Sequence, residues 1–375
     1  MATGWPMKTT YANGDVYSAS DVNDTNGTIN LLGASVAYAA GKNRIINGDF
    51  FFNQRAFTST TTTNTYGFDR FIFTTVDGTG TYSAQTFTLG TAPVVGYEGK
   101  NFARIASTGQ TLTSAQTLLS QRIESVRTFA NQIATVSFWA KSGSGTPKVA
   151  VELVQRFGTG GSPSSNVNTY GAQVTLSTSW TRYTVTFTVP SISGKTLGTA
   201  NDDNLALNLW TSAGSDFNSR TGSLGIQTTT IDFWGVQMES GSTATAFQTA
   251  TGIIQGELAA CQRYYNKSYD LDTAPATATN TGGFQMQTPN VINNGILGTI
   301  VFPVKMRTAP SVTLYSRASG ATGKADNLSG GDFGANSAIA LAPGQGASAV
   351  QNQSGGTLTV SFNGVGFHYV ASAEL

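Results

Sequence analysis

The chain has 375 residues, of which only 11% are charged, and its formal net charge at pH 7 is +1. This length is enough for about two or three domains with buried cores. A nearly neutral chain has no basic field that would attract nucleic acid or a membrane surface, so the composition argues against both partners. Low charge with abundant glycine, threonine and serine favours β-structure with many turns over helical bundles.

The first residues lack a basic region followed by an apolar core, and no run of about 18 apolar residues occurs in the chain. We therefore expect neither a signal peptide nor a membrane-spanning helix. Cys261 is the only cysteine. A disulfide within the chain and a cysteine metal cluster are thus excluded, and Cys261 is expected to be a small buried apolar residue.

Residues 1–42 predict an N-terminal segment with one short helix, for which Ser20 is a suitable N-cap. Apolar residues at heptad spacing form a candidate oligomerisation seam along it: Val22, Ile29, Leu32 and Val36. Such a helix either packs on its own chain or joins a bundle of several chains. Because it buries little apolar surface alone, we favour the bundle.

Residues 43–250 carry the longest series of strand patterns. Tyr183, Val185 and Phe187 alternate with threonines, and Leu205, Leu207 and Leu209 alternate with Ala206 and Asn208. This period of two predicts strands with one apolar and one polar face, which is typical of antiparallel sheets. Turns rich in glycine and proline separate about eight such strands, so we predict an antiparallel sandwich of the jelly-roll type.

Residues 251–266 predict a short linking helix, because Ile254, Leu258, Cys261 and Tyr265 recur at helical spacing. Residues 267–375 predict a smaller C-terminal β-sandwich, with strands at 298–304, 311–315, 357–362 and 365–370. Between these strands, residues 316–353 are rich in glycine, serine and alanine and predict a long loop. The predicted fold class is therefore all-β, with two short helices.

Two segments at the end of the jelly roll form a distinctive pair. They are Gln237-Met-Glu-Ser-Gly-Ser-Thr-Ala-Thr-Ala-Phe247 and Glu257-Leu-Ala-Ala-Cys-Gln-Arg-Tyr-Tyr265. The pair resembles the junction found in tailed-phage tail-fibre and other virion appendage proteins. Residues 43–50 with Gln54-Arg55, and Tyr66-Gly-Phe-Asp-Arg70, resemble two further segments of that family. Gln248 stands where family members usually have glutamate.

The same region also resembles carbohydrate-binding jelly-roll modules, through residues 136–142, 180–187 and 231–237. Together the two resemblances imply a fibre-like structural protein of a tailed-phage virion, made in the host cytoplasm. They further imply a homotrimer whose residues 1–42 attach to other virion proteins. The C-terminal sandwich would lie at the tip, and the expected partner is a host-surface polysaccharide.

Catalytic residues are not predicted. His368 is the only histidine, we expect it at a surface or an interface, and no G-x-S-x-G motif accompanies it. Aromatic faces beside short polar side chains suit glycan binding, which selects Trp210, Asp216 and Phe217 as candidates, with Trp210 on the exposed face of its strand. Arg317, Lys324 and Asn327 lie in the predicted long loop and are candidate receptor contacts.

No cofactor and no metal ligand are predicted. The resemblance to jelly-roll modules raises a structural calcium between Asp49 and Asp232, but two carboxylates fall short of the six to eight oxygens that calcium takes. Two other functions stay open. One is a purely structural virion decoration or baseplate component, and the other is a polysaccharide depolymerase using acids such as Glu152, Asp202, Asp203 and Asp216.

Overall fold

A computed structural model describes residues 41–287, 290–328, 331–359 and 364–375. The predicted oligomerising helix with Val22, Ile29, Leu32 and Val36 lies outside the described residues, so its role stays a prediction. Within the described ranges, no helix is long and apolar enough to cross a bilayer.

The jelly-roll unit, residues 41–250, contains twelve strands: β1 (Ser59–Thr60), β2 (Thr65–Tyr66), β3 (Phe71–Val76), β4 (Thr79–Thr86), β5 (Asn101–Thr108), β6 (Gln116–Glu124), β7 (Ile133–Ser142), β8 (Lys148–Arg156), β9 (Val167–Thr175), β10 (Thr181–Thr188), β11 (Asn204–Ala213) and β12 (Thr229–Ser240). They form two antiparallel sheets of six strands. The first has the order β1-β4-β5-β12-β7-β10, and the second has the order β2-β3-β6-β11-β8-β9. The predicted antiparallel sandwich is confirmed.

Alternation along the strands directs one face of each sheet inward. The core between the sheets is built from these inward-facing apolar side chains, among them Phe73, Leu119, Phe138, Val151, Leu207 and Phe233. Burying such side chains is the main favourable contribution to folding. The opposite faces carry the polar members of each strand, and one of these outer faces forms the site described below.

A short helical segment connects β11 to β12 and packs on the outer face of the second sheet. It comprises a 3-10 turn (Ser215–Phe217) and helix α1 (Asn218–Thr221), which ends at Gly222 with φ +62°. Leu224 and Phe217 of this connection pack against Leu118, Ala150 and Trp210 of the sheet. The connection therefore covers part of a face that the strand pattern alone would leave open.

Helix α2 (Ile254–Gln262) follows the jelly roll. This helix is shorter than the linking helix predicted over 251–266, since Tyr265 already belongs to the next strand. Cys261 is fully buried, as expected, and burial raises the pKa of its thiol well above the usual value.

The C-terminal unit contains nine described strands: β13 (Tyr265–Lys267), β14 (Phe284–Met286), β15 (Ile296–Val301), β16 (Ser311–Tyr315), β17 (Asp326–Asn327), β18 (Gly331–Asp332), β19 (Ile339–Leu341), β20 (Ala347–Gln351) and β21 (Val365–Ser372). Strand β21 pairs with β13, β14, β16 and β17, while β15, β20 and β19 form a separate three-stranded sheet. A second core lies in this unit and includes Ile300, Leu314, Val350 and Phe367. The predicted all-β class is confirmed. Residues 316–353, expected to be mostly loop, contain four short strands, and most of the described residues of this stretch lie outside them.

The segments that resemble virion appendage proteins meet at the joint between the two units. The guanidinium of Arg55 lies 3.8 Å from the ring centre of Tyr265, and that of Arg70 lies 3.4 Å from the ring centre of Tyr264. Both arginines also form ion pairs with Glu374, which follows β21. These motif residues therefore hold the two units together.

Candidate functional site

The candidate site is the outer face of the second sheet. Along β6, Leu119, Gln121 and Ile123 point into the core, so Ser120 and Arg122 point outward. The same alternation places Glu152 and Arg156 of β8, and Asn208 of β11, on that outer face. Arg220 of α1 adds a third guanidinium above it. We call this surface the arginine face, after Arg122, Arg156 and Arg220.

Strand register orders these side chains into rows. Asn208 lies opposite Ser120 on one side and Glu152 on the other, and Ala206 lies in the same way between Arg122 and Val154. Ala206 and Val154 are short and buried. The face therefore has a floor of short, covered side chains beside long arginines.

Glu152 organises the polar centre of the face. Its carboxylate accepts hydrogen bonds from Arg220 Nε at 2.7 Å and Nη2 at 2.9 Å, from Asn208 Nδ2 at 2.8 Å and from Trp210 Nε1 at 2.9 Å. Ser120 Oγ in turn donates to Asn208 Oδ1. Glu152 is completely buried, and a buried carboxylate is tolerated only with such a set of donors.

One end of the face is apolar. Phe217 lies over Trp210 with ring centres 5.0 Å apart, and the guanidinium of Arg220 lies 5.0 Å from the ring centre of Trp210. Tyr170 of β9, opposite Glu152, is 38% exposed at the edge. A partly exposed aromatic ring beside a polar floor is a surface on which a sugar ring can pack.

Unpartnered polar atoms mark the other end of the face. Arg122 Nε, Arg156 Nε and Asn204 Oδ1 are buried and have no hydrogen-bond partner. Asn204 lies directly opposite Arg156 in the ladder of β11 and β8. Burial, and then the charges of Arg122 and Arg220, lower the pKa of Arg156 to about 10. Buried polar atoms are normally satisfied, so these three indicate a place where a polar ligand or water completes the bonding.

The predicted glycan-binding residues lie beside this face. Trp210 points outward, as its strand parity requires, but the expectation that it is exposed is wrong, because Phe217, Leu224 and Arg220 cover it. Asp216 is exposed and bonds Thr113, and Phe217 is half-buried over Trp210. Their glycan-binding role stays a prediction.

Sequence reasoning missed the three arginines. Arg156 and Glu152 lie at positions of β8 that alternate with the inward-facing Val151 and Leu153. This alternation predicts that both side chains point to the same outer face. Strand alternation does not predict the position of Arg220, because this residue reaches the face from the connection between β11 and β12.

The predicted receptor contacts are only partly accessible. Arg317 is buried and its guanidinium forms an ion pair with Asp326, so its expected exposure in a loop is wrong. A polar cavity of about 480 Å³ lies beside that pair, lined also by Thr279 and Asn280. Lys324 is partly exposed, with its Nζ 3.8 Å from Asp332, and Asn327 lies in β17. Receptor contact by these residues stays a prediction.

His368 was expected at a surface or interface, and that expectation is wrong. It is fully buried, lies parallel to the ring of Tyr269 at 3.8 Å, and is 2.8 Å from Ser268 Oγ and 2.9 Å from the carbonyl oxygen of Thr279. Burial lowers its pKa. The histidine therefore packs the C-terminal unit.

Asp49 and Asp232, the two residues considered for calcium, have other partners. Asp232 accepts bonds from Arg104 at 2.6 and 2.9 Å, and Lys141 lies 3.6 Å away. Asp49 accepts a bond of 2.6 Å from the hydroxyl of Tyr97. Two cations already neutralise Asp232, which disfavours calcium there. Among the described residues, no group of three or more acidic, histidine or cysteine side chains is arranged to hold a metal ion.

The acids considered for a depolymerase already have hydrogen-bond partners within the chain. Asp202 accepts bonds from the amide and hydroxyl of Thr159 at 2.8 and 2.7 Å, and Asp203 accepts one from the amide of Val126 at 2.9 Å. Glu152 is paired with Arg220, as described above. Each of the four candidate acids therefore accepts hydrogen bonds from different donors.

A second cavity, of about 470 Å³, lies beside α2. Its wall is mostly apolar and includes Phe51, Tyr97 and Ile254, and Asp49 and Glu257 also line it. Burial raises the pKa of both carboxyl groups. Glu257 accepts a bond of 2.6 Å from the amide of Asn47 and further bonds from Thr251, so it joins two loops. Because these acids are satisfied internally, we rank this cavity below the arginine face.

Comparison with known proteins bears on the jelly-roll unit. Residues 43–200 match the carbohydrate binding domain family. The match includes Arg122 and Arg156 of the arginine face and ends before β11. The predicted resemblance to carbohydrate-binding jelly rolls is thus confirmed at the level of fold. No curated protein matches the sequence of the chain significantly.

Solved structures show weaker likenesses. A CBM4 domain is 20% identical, with 43% of this chain and 87% of that one covered, at a TM-score of 0.26. The CBM22-2 xylan-binding domain of Xyn10C from Paenibacillus barcinonensis is 15% identical, with coverages of 45% and 91% and a TM-score of 0.29. The enzymatically active domain of tailspike protein 4 from bacteriophage CBA120 is 11% identical, with coverages of 53% and 22% and a TM-score of 0.30. At such scores these likenesses carry no argument about function.

Proposed function

We propose that the jelly-roll unit binds a glycan through the arginine face, without catalysing a reaction on it. The observation that carries this proposal is the group of unpartnered buried atoms, Arg122 Nε, Arg156 Nε and Asn204 Oδ1, above a floor of short side chains. Sugars present both donors and acceptors on one ring, so they suit a surface that offers both kinds of atom. The match to the carbohydrate binding domain family supports the same function.

We further propose that the chain is a fibre-like appendage protein of a tailed-phage virion. Support comes from the motif segments over residues 43–265, which resemble such proteins and which form the joint between the units. In this proposal residues 1–42 trimerise the chain and attach it to other virion proteins. The glycan would then belong to the surface polysaccharide of the host cell.

Glycan binding is tested at the edge of the arginine face, where a variant does not disturb the core. Tyr170→Ala removes the exposed ring opposite Glu152. We expect its affinity for a bound polysaccharide, measured by calorimetry across a panel of polymers, to fall about tenfold. Thr184→Ala, at an exposed position of β10 in the other sheet, is the matched control and should bind as the unmodified protein does.

Cell binding separates an adhesin from a purely structural component. Saturable binding of the purified chain to host cells, competed by the host's polysaccharide and weakened by Tyr170→Ala, supports the adhesin. If the chain binds neither cells nor any polysaccharide, yet assembles onto particles lacking fibres, it is a structural component. In that case the proposed glycan site is wrong. Release of reducing sugar ends from a bound polymer would instead indicate a depolymerase.

A further inference from the structure

Arg156 is the least compensated charge on the arginine face. It is half-buried at the end of β8, its Nε is buried without a partner, and its side chain forms no hydrogen bond or ion pair with the described residues. The charged groups that act on it are Arg122 and Arg220, which repel it, and Glu152, which attracts it. The face therefore holds more positive than negative charge around this side chain.

The nearby carboxylates are already engaged. Glu152 accepts two bonds from Arg220 and one each from Asn208 and Trp210, so its charge is already paired with Arg220. Glu124 lies at the end of β6, beyond Asn204 in the same row, and accepts bonds of 2.9 and 2.7 Å from Arg263. Neither acid is free to neutralise Arg156.

A partly buried guanidinium without an anionic partner carries a desolvation penalty that a ligand can relieve. Its planar fork matches the two oxygens of a carboxylate, which it binds through two parallel hydrogen bonds. Opposite it, the unpartnered Asn204 Oδ1 is an acceptor, and it suits a hydroxyl group. A carboxylate with a hydroxyl nearby, on one ring, is the chemistry of a sugar acid.

We infer that the glycan bound by the arginine face is acidic, and that a carboxylate of one of its sugars pairs with Arg156. This inference rests on the proposed function. Arg122, whose Nη1 donates to the main-chain oxygen of Leu375, contributes its charge and its unpartnered Nε to the same face. A neutral polymer would leave these charges unpaired, so charge selects the ligand.

The experiment compares acidic polymers with their neutral counterparts. Polygalacturonate, alginate and hyaluronan are each titrated into the full chain beside the same polymer with its carboxyl groups reduced to alcohols. For the polymer that binds, we expect at least a tenfold higher affinity for the acidic form, and this preference should shrink as salt is raised. Sulfated dextran serves as a further arm, which distinguishes a carboxylate fork from a general attraction to anions.

Variants assign the preference to Arg156. We expect Arg156→Gln to lower the affinity for the acidic polymer to that for the reduced one, and Arg156→Lys to restore only part of the preference, since lysine lacks the planar fork. Lys148→Gln removes the same charge about 26 Å away on the same strand and should leave both affinities unchanged. If Arg156→Gln did not fold, Arg156→Lys would carry the test.

Equal affinity for the acidic and reduced forms, or a preference that survives in Arg156→Gln, would overturn the inference and leave the proposed glycan binding intact. Stronger binding of sulfated dextran than of any carboxylate polymer would overturn it as well. Failure of every polymer to bind in either form would overturn the proposed function and this inference together.

Discussion

Glu152 shows how much one buried carboxylate of this protein depends on its donors. Arg220, whose side chain is 26% exposed, supplies the only charge that pairs with it among the described residues. Removing one member of a buried ion pair leaves the other charged and uncompensated. We therefore expect Arg220→Met to lower the free energy of unfolding by about 3 kcal/mol in urea titrations.

Lys324→Met provides the control for Arg220→Met. Lys324 is one-third exposed and its Nζ lies 3.8 Å from Asp332. Exposed pairs of this kind contribute roughly 0–1 kcal/mol, so the control should stay close to the unmodified protein. A loss for Arg220→Met no larger than that of the control would contradict the role assigned to Glu152.

His368 makes the stability of the C-terminal unit depend on pH. Burial lowers the pKa of this side chain below its usual value of 6.5, so the unfolded chain binds the proton more readily. Its contribution is therefore complete above about pH 6.5 and is lost as the pH falls towards the folded-state pKa. We expect the free energy of unfolding, measured from pH 5 to 7.5, to fall more steeply on the acid side in the unmodified protein than in His368→Gln.

Asp49 and Glu257 change the stability with pH in the opposite direction to His368, because burial raises the pKa of both carboxyl groups. Their contribution is present below the usual pKa of a carboxyl group and is lost as the pH rises through the folded-state values. Both groups are common to the two proteins compared, so the difference between the curves reports His368 alone. Parallel curves would refute the assigned effect.

At the scale of single elements, a bulge shapes the strand that closes the jelly roll. The pairing of β12 with β7 shifts between Trp234 and Gln237, and Gly235 within the bulge has φ +62°. A Cβ on Gly235 would lie 2.7 Å from the ring of Trp139. Backbone strain and this overlap together predict that Gly235→Ala lowers the free energy of unfolding by about 3 kcal/mol.

Gly194→Ala separates the two causes. Gly194 also has a positive φ, +72°, but nothing lies within 4 Å of the Cβ it would gain. Only backbone strain applies at Gly194. We therefore expect Gly194→Ala to lower the free energy of unfolding, measured by thermal and urea unfolding, by about 1–2 kcal/mol. Equal losses for the two variants would mean that contact with Trp139 does not contribute.

At the scale of the whole molecule, buried ion pairs connect the two units. Glu374 follows β21 and pairs with Arg55, at 3.1 Å, and with Arg70 of the jelly-roll unit. Removing Glu374 leaves both cations at the joint with fewer anionic partners. We expect Glu374→Ala to destabilise the protein by about 3–5 kcal/mol, or to split a single unfolding transition into two in calorimetry.

The same joint also provides the control for Glu374→Ala. Lys100 of the jelly-roll unit and Asp272 of the C-terminal unit form an exposed pair at 3.6 Å, with Asp272 89% exposed. Solvent screens such a pair, so Asp272→Ala should change neither the stability nor the number of transitions. If both variants behaved alike, the buried pairs would not be what couples the units.

The sequence by itself determined the fold class and the position of many strands. The alternation of Tyr183, Val185 and Phe187 is found in β10, and the predicted strand at 311–315 is β16. A period of two is set by covalent geometry, since successive side chains of an extended chain point to opposite sides. This alternation therefore does not depend on which elements pack around the strand.

Only the tertiary structure decided which outward side chains meet solvent. Parity placed Trp210 on the outer face correctly, yet the connection after β11 covers it. His368 likewise contacts Thr279, which is distant in sequence, and Arg317 forms an ion pair with Asp326. Strand alternation predicts neither contact. The arginine face also depends on tertiary structure. The pairing of β6, β11 and β8, and the packing of α1 on these strands, bring its three arginines together. Strand alternation assigns a side chain to a face, whereas long-range pairing decides what covers that face and which charges share it.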